Sequence, residues 1–446
     1  MAQPIIYRLL IAPTETIRPS RLQAPHELTQ GKITARLIKY VLGAAGIGAI
    51  ISAVIALKDR SKTKAYLSAT LVTLIYVIAN YAPRLLNTKA RTPAITIDNF
   101  KSLIDHKFLT EKECTSILQV CTSYKKGLIE QAVGENKCIR MNAKATNAAR
   151  TLLITPEGKL FVILNQTKAK DTRIVGKGAQ TVVKYCFELT EKKWCTHASF
   201  TDKQAWEKAT ALLNRLKGKP NILQLLATDE YASKNDEVKI KYSMITEYCE
   251  HGDLVAAFTI LPIQDHEKKE FCKKIAIALR EVHLQGYAHN DLKPDNIFVK
   301  KEEGKSIPIL ADFEGVYELT DANQKQLCGG TPAYLHPIIA KARTTQAQES
   351  LPSLESRDIW SLGVLFYEIQ MQSNQVLPWV MNIDKNLSIG EQRKKILSNL
   401  AALADGNTPA FNEPVDKTSL EYLIWNMLQV DPAKQFNLDQ VIQFFI

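Results

Sequence analysis

A chain of 446 residues with 46% hydrophobic and 23% charged positions has the make-up of a folded protein of two or three domains, which excludes collagen-like, disordered and disulfide-scaffold classes. The net charge of +11 is unevenly placed: thirteen Lys+Arg against three Asp+Glu fall before residue 92, a local +10, and the rest of the chain carries +1. That remainder has no electrostatic footprint for nucleic acid, so no nucleic-acid partner is expected. The eight cysteines form no C-x-x-C pair and read as reduced thiols.

After a basic polar segment, residues 1–35, two runs at 40–57 and 65–83 contain no charged residue. Their 18 and 19 residues reach roughly 27–29 Å as helix, close to the ~30 Å hydrocarbon layer. Lys39, Lys58, Lys64 and Arg84 flank them where basic side chains can snorkel. Gly43, Gly46 and Gly48 in the first run permit a close second helix. The predicted element is a transmembrane hairpin over 36–91, with a lipid bilayer as partner. The basic residues outside the runs outnumber those in the loop, which places both termini on the cytoplasmic side. Residues 92–150 then read as a helical spacer, with Phe100, Leu103, Ile104 and Phe108 on one face.

At Thr151 the period becomes that of strands: Leu152–Ile154, a Pro156-Glu-Gly158 turn and Leu160–Leu164 form a predicted hairpin. Gly176-Lys177-Gly178 follows between two strand-like runs. Such a loop suits backbone contact with phosphate, but on these residues alone it is more often an ordinary hairpin. A Rossmann loop is excluded because strand and not helix comes next.

The informative stretch is His289-Asn-Asp291-Leu-Lys293-Pro-Asp-Asn296, followed by Asp312-Phe-Glu-Gly315. Phosphoryl transfer needs a carboxylate for the hydroxyl, a cation near the moving phosphate and oxygen ligands for Mg²⁺. Asp291, Lys293, Asn296 and Asp312 are those residue types, with Asn296 and Asp312 as the metal ligands.

Here the chain resembles the eukaryotic-type (Hanks-type) serine/threonine protein kinase family, whose catalytic loop H-R-D-L-K-P-x-N and D-F-G motif these stretches follow. Gly329-Gly-Thr331-Pro-Ala-Tyr334 resembles the end of that family's activation segment, and Asp358-Ile-Trp-Ser-Leu-Gly363 the helix beneath the catalytic loop. Ile245-Thr-Glu247-Tyr-Cys249 with Asp253 is similar to its hinge. The resemblance implies an α+β bilobal fold over 151–446, with lobes of about 151–247 and 248–446, behind the hairpin and the spacer. It implies ATP and Mg²⁺ as cofactors, a protein substrate, and nucleotide contacts at Gly176, Lys177, Gly178, Val183, His197, Thr246, Glu247, Cys249 and Asp253. Lys293 and Thr331 match the Ser/Thr branch.

Departures accompany the match. Aligning Trp194–His197 to the family's V-A-x-K puts His197 at the phosphate-binding lysine, with Lys177 the nearest substitute. The partner glutamate falls at Ala209 or Thr210, beside Glu207. Asn290 stands for the arginine that binds an activation-loop phosphate, and Ile338 and Gln435 replace an ion pair. The expected function is a membrane-anchored protein Ser/Thr kinase, and the alternative is a catalytically impaired pseudokinase acting as a membrane-bound scaffold. The hairpin architecture is similar to that of bacterial effector and inclusion-membrane proteins, which admits a host-cell or inclusion membrane.

Overall fold

Strands dominate up to Glu247 and helices after it. The structure, a computed structural model, describes residues 95–106, 108–142, 150–164, 174–177, 182–232, 240–260, 263–320, 322, 326–327, 329–345, 350–372, 383–384, 386–406 and 412–446. The predicted hairpin at 40–57 and 65–83 lies outside the described residues, as do residues 1–35 and Gly178. Among the described residues no helix is long and apolar enough to cross a membrane.

A 3₁₀ turn (Ile97–Phe100) leads into α1 (Lys101–Asp105) and α2 (Glu111–Glu135). Thr110 and Glu113 form a reciprocal capping box at the start of α2, and Asn136 closes it in the left-handed conformation at φ 51°. Then come β1 (Ile139–Asn142), β2 (Arg150–Ile154), β3 (Leu160–Leu164), β4 (Ile174–Lys177), β5 (Val182–Glu188) and β6 (Lys193–Phe200). Helix α3 (Lys203–Arg215), capped by Asp202, precedes β7 (Leu225–Ala232) and β8 (Ile240–Glu247). These strands form one antiparallel sheet in the order β1-β2-β3-β5-β6-β8-β7, with β4 also on β5.

The segment expected to be a spacer is part of this layer. Ile95, Phe100, Leu103, Leu109, Cys114 and Ile117 are buried against Leu152, Val162 and Phe187 of the sheet. The Trp194 indole donates to Ser102 Oγ at 3.0 Å. β1, inside the same segment, pairs with β2 from Ile139 opposite Ile154. The β-rich half therefore begins near residue 95, and the compact unit runs Thr92–Ile446.

The sheet is strongly rolled. β1 and β7 end the strand order, yet Arg140 Nε of β1 donates to Asp229 Oδ2 of β7 at 2.6 Å, and its guanidinium lies 3.6 Å from the Tyr231 ring centroid. Leu153, Phe161, Ile163, Cys186, Cys195 and Ile245 fill the enclosed face. The other face carries α1 and α2 at one end and α3 at the other, where Trp206 meets Val183, Ala198, Phe200 and Met244.

The second half contains α4 (Leu254–Ile260), α5 (Asp265–Leu284), β9 (Tyr287–Ala288), β10 (Ile297–Glu302), β11 (Lys305–Leu310) and β12 (Tyr317–Glu318). These are followed by α6 (Pro337–Thr345), α7 (Leu354–Met371), α8 (Ile389–Gly406), α9 (Leu420–Met427) and α10 (Leu438–Gln443). The largest core joins α5, α7 and α9 around the fully buried Trp360 and Phe366. A Cβ on Gly363 of α7 would come within 2.9 Å of Leu428 Cδ2, so glycine is what lets that turn approach. At Gln435, where the resemblance implies half of an ion pair, Ser356 Oγ donates to Gln435 Oε1 at 2.6 Å, and Gln435 Nε2 donates to the Met427 carbonyl at 2.8 Å. Ile338 packs partly buried against the core.

Candidate active site

The β10–β11 hairpin and the loop that leads into it deliver the site. The loop after β9 carries Asp291, Lys293 and Asn296 into β10, and β11 returns to Ala311 and Asp312. The two loops are tied together: Ala311 N donates to the Asn296 carbonyl at 3.0 Å, and His289 Nε2 to the Ala311 carbonyl at 2.9 Å. The His289 ring also lies 5.5 Å from that of the buried Phe313.

Asp358, at 0% exposure, fixes the loop from below. Its carboxylate accepts from His289 N at 2.8 Å, Asn290 N at 2.7 Å and His283 Nε2 at 2.8 Å. It sits inside α7, whose cap is Ser353, and so is a loop anchor and not a helix cap. These bonds hold Asn290 at φ 64°, a left-handed conformation that a non-glycine residue adopts only when its surroundings compel it.

At the centre, Lys293 Nζ donates to Asp291 Oδ2 at 2.6 Å and to Thr331 Oγ1 at 2.9 Å. Thr331 donates to Asp291 Oδ1 through N at 2.9 Å and Oγ1 at 2.7 Å. Asn296 Nδ2 donates to the Asp291 carbonyl at 2.8 Å and to Oδ2 at 3.2 Å. Burial opposes ionisation of Asp291, but hydrogen bonds from Lys293 and Thr331 and the lysine's charge outweigh it, leaving the carboxyl below its ordinary range. The group is a carboxylate at neutral pH, able to accept a proton from a hydroxyl.

Oxygen donors suited to Mg²⁺ are present. Asn296 spends its amide hydrogens on Asp291, which turns its oxygen the other way, and the Asp312 side chain is exposed at φ 61°. Along the hinge, buried Thr246 shares a 2.6 Å hydrogen bond with Thr196. Glu247 accepts from Gln224 N at 2.9 Å and from Lys300 of β10. Cys249 is buried, which pushes its thiol up to about 12. Asp253 Oδ1 accepts from Ala256 N at 2.8 Å, capping α4. Val183 joins the cluster beside α3, and Gly176 and Lys177 pair with Val183 and Val182 on the β4–β5 ladder.

His197 is not a nucleotide residue. Neighbours in a strand face opposite sides, and Ala198 and Phe200 face Trp206 of α3 while Thr196 meets Thr246. His197 therefore points into the rolled interior, 1% exposed, with its Nε2 3.3 Å from Arg140 Nη2. Burial, then the charges of Arg140 and Lys184, push it well below the ordinary histidine range, so it is neutral. The residue facing α3, where a lysine paired with a glutamate would have to lie, is Ala198. Lys184 is opposite His197 on the ladder and shares its face. On α3, Ala209 and Thr210 are buried, while Glu207 is exposed and pairs with Lys203 at 3.4 Å.

Several neighbours of the site escaped sequence reasoning. Tyr334 OH donates to both oxygens of Glu368, at 3.1 and 3.0 Å, in a fully buried pair with no single-residue signal. Ala198 was findable from the alternation of Trp194, Thr196, Ala198 and Phe200.

A family model described as protein kinase domain matches residues 169–445, more than half of the chain. Among curated proteins, maternal embryonic leucine zipper kinase of Xenopus tropicalis is 28% identical over 212 residues, 46% of this chain and 28% of that protein. Serine/threonine-protein kinase Nek5 of Mus musculus is 29% identical over 204 residues, 44% of this chain and 30% of that protein. Serine/threonine-protein kinase stk11 of Xenopus laevis is 28% identical over 242 residues, 53% of this chain and 49% of that protein. The chain thus spans half or less of the length of these relatives. The matched region contains both loops, the hinge and the segment that reaches Asp291 through Thr331, and the chain belongs to the protein kinase family.

Proposed function

We propose that this chain is an ATP-dependent protein serine/threonine kinase, held at a bilayer by the apolar runs 40–57 and 65–83. The observation that carries the catalytic reading is Thr331 Oγ1, which joins Asp291 Oδ1 to Lys293 Nζ. In this reading Asp291 orients a protein hydroxyl and accepts its proton, Lys293 offsets charge developing on the transferred phosphoryl group, and Thr331 keeps both aligned. Asn296 and Asp312 would hold Mg²⁺, which supplies neutralisation of phosphate charge. Thr246, Glu247 and Cys249 would line the nucleotide base, and Gly176, Lys177 and Gly178 would cover the phosphates.

Phosphate transfer from radiolabelled ATP to a mixed protein substrate, by the full chain in detergent micelles, tests this. Asp291→Asn is expected to lower it by roughly 10²–10⁴-fold while nucleotide binding is retained. Equal transfer by both proteins would overturn the assignment. Retention of the chain in membranes through alkaline carbonate extraction tests the anchor.

A second reading, a scaffold that binds nucleotide or protein without transfer, is favoured by Ala198 and by the outward Glu207–Lys203 pair. Nucleotide binding with no transfer by the unmodified chain would select it.

A further inference from the structure

Asn290 carries no charge, yet a cation reaches its neighbourhood from another element. Arg357, in the first turn of α7, is 6% exposed. Its Nε donates to the Pro352 carbonyl at 2.9 Å and its Nη1 to the Gln326 carbonyl at 2.7 Å. Arg357, Asn290, Gly329 and Asp358 line one small cavity of ≈ 10 Å³. A second arginine acts on the same stretch: Arg343 of α6 donates through Nη2 to the Gly329 carbonyl at 2.6 Å. Between Gly329 and Thr331 the chain has little slack. Gly330 is at φ 102°, and a Cβ there would lie 3.0 Å from the Asn290 carbonyl and 3.1 Å from Leu335. The residue after it makes the contacts to Asp291 and Lys293.

We propose that Arg357 and Arg343 are positioning residues that hold the activation segment at the Gln326 and Gly329 carbonyls, so that Thr331 reaches Asp291 without a phosphate on that segment. The proposal rests on the kinase reading for its effect on transfer, but the holding itself is a structural matter. A backbone carbonyl accepts whether or not the segment carries a phosphate, so these contacts do not need one. A buried guanidinium bonded to carbonyls is also costly to leave unpaired, which ties the packing of α7 to the placement of the segment.

The test uses the full chain in detergent micelles, treated with phosphatase, beside Arg357→Gln, Arg357→Lys and Arg343→Ala. Limited proteolysis is read at 320–331, with the circular-dichroism melt as a folding control. Resistance of the unphosphorylated chain, faster cleavage in Arg357→Gln, and partial return in Arg357→Lys are expected. In the transfer assay Arg357→Gln is expected to lower kcat on the order of 10- to 100-fold with the KM for ATP nearly unchanged. Arg343, on the less buried α6, supplies the same readout if Arg357→Gln fails to fold. Cleavage of the unphosphorylated chain as fast as the variants, or unaltered cleavage and kcat in both Arg357→Gln and Arg343→Ala, would overturn the proposal. If the unmodified chain transfers no phosphate, the kinase reading fails, and the proteolysis result still decides the proposal.

Discussion

Glu368 is buried against the Tyr334 hydroxyl. Desolvation raises its carboxyl to about 8, against the smaller lowering effect of the Tyr334 hydroxyl. A folded-state value above the ordinary 4.5 means that the folded protein holds this proton more tightly than the unfolded chain does. The contribution is complete below about 4.5 and is lost as pH rises toward about 8. Glu368→Gln, which cannot ionise, is therefore expected to melt close to the unmodified protein at pH 5 and progressively above it toward pH 8. A constant difference across that interval would show that Glu368 is ionised in the folded state. Asp291 lies on the other side of its ordinary value, so two carboxyls contacting the same segment, at Tyr334 and Thr331, respond to pH in opposite senses.

At the scale of elements, β6 decides how the departures from the family are read. An alignment suggests repairing the site with His197→Lys. The strand's alternation predicts the reverse: a lysine there enters the rolled interior beside Arg140 and costs roughly 3–5 kcal/mol of stability, with no gain in nucleotide affinity. Denaturant midpoints and nucleotide titration check both halves of that statement. The segment before β2 makes a second case. Phe100 is 0% exposed against the sheet, so Phe100→Ala is expected to cost about 3–5 kcal/mol in the same unfolding assay, whereas a free spacer would show almost nothing.

The grouping of Asp291, Lys293 and Asn296 was legible in the sequence because all three lie within one short stretch, and the structure brings them into contact. Arg140 was not legible, because its partners His197, Asp229 and Ser243 are 57, 89 and 103 residues away. Periodicity registers a local face, and the amphipathic face of Phe100, Leu103, Ile104 and Phe108 was visible, but not which surface it covers.

For the whole molecule, the β-rich and helical halves meet at the end of β8. The Glu247–Lys300 ion pair crosses that junction, with both side chains about one-fifth exposed. Breaking it strands a mostly buried carboxylate. Lys300→Met is expected to cost roughly 1.5–3 kcal/mol, and a double-mutant cycle with Glu247→Gln to recover much of that loss. Additive effects would mean that the pair does not join the halves energetically.

The bridge from Ser356 to Gln435 has a different character. Gln435 stands at one of the two positions where the resemblance places an ion, the other being the apolar Ile338, and it bonds instead to the neutral Ser356 hydroxyl; an attraction between dipoles offers dissolved salt nothing to screen and acid nothing to protonate. This corner beneath α7 is therefore expected to keep its hydrogen-bonded geometry from dilute buffer into molar sodium chloride.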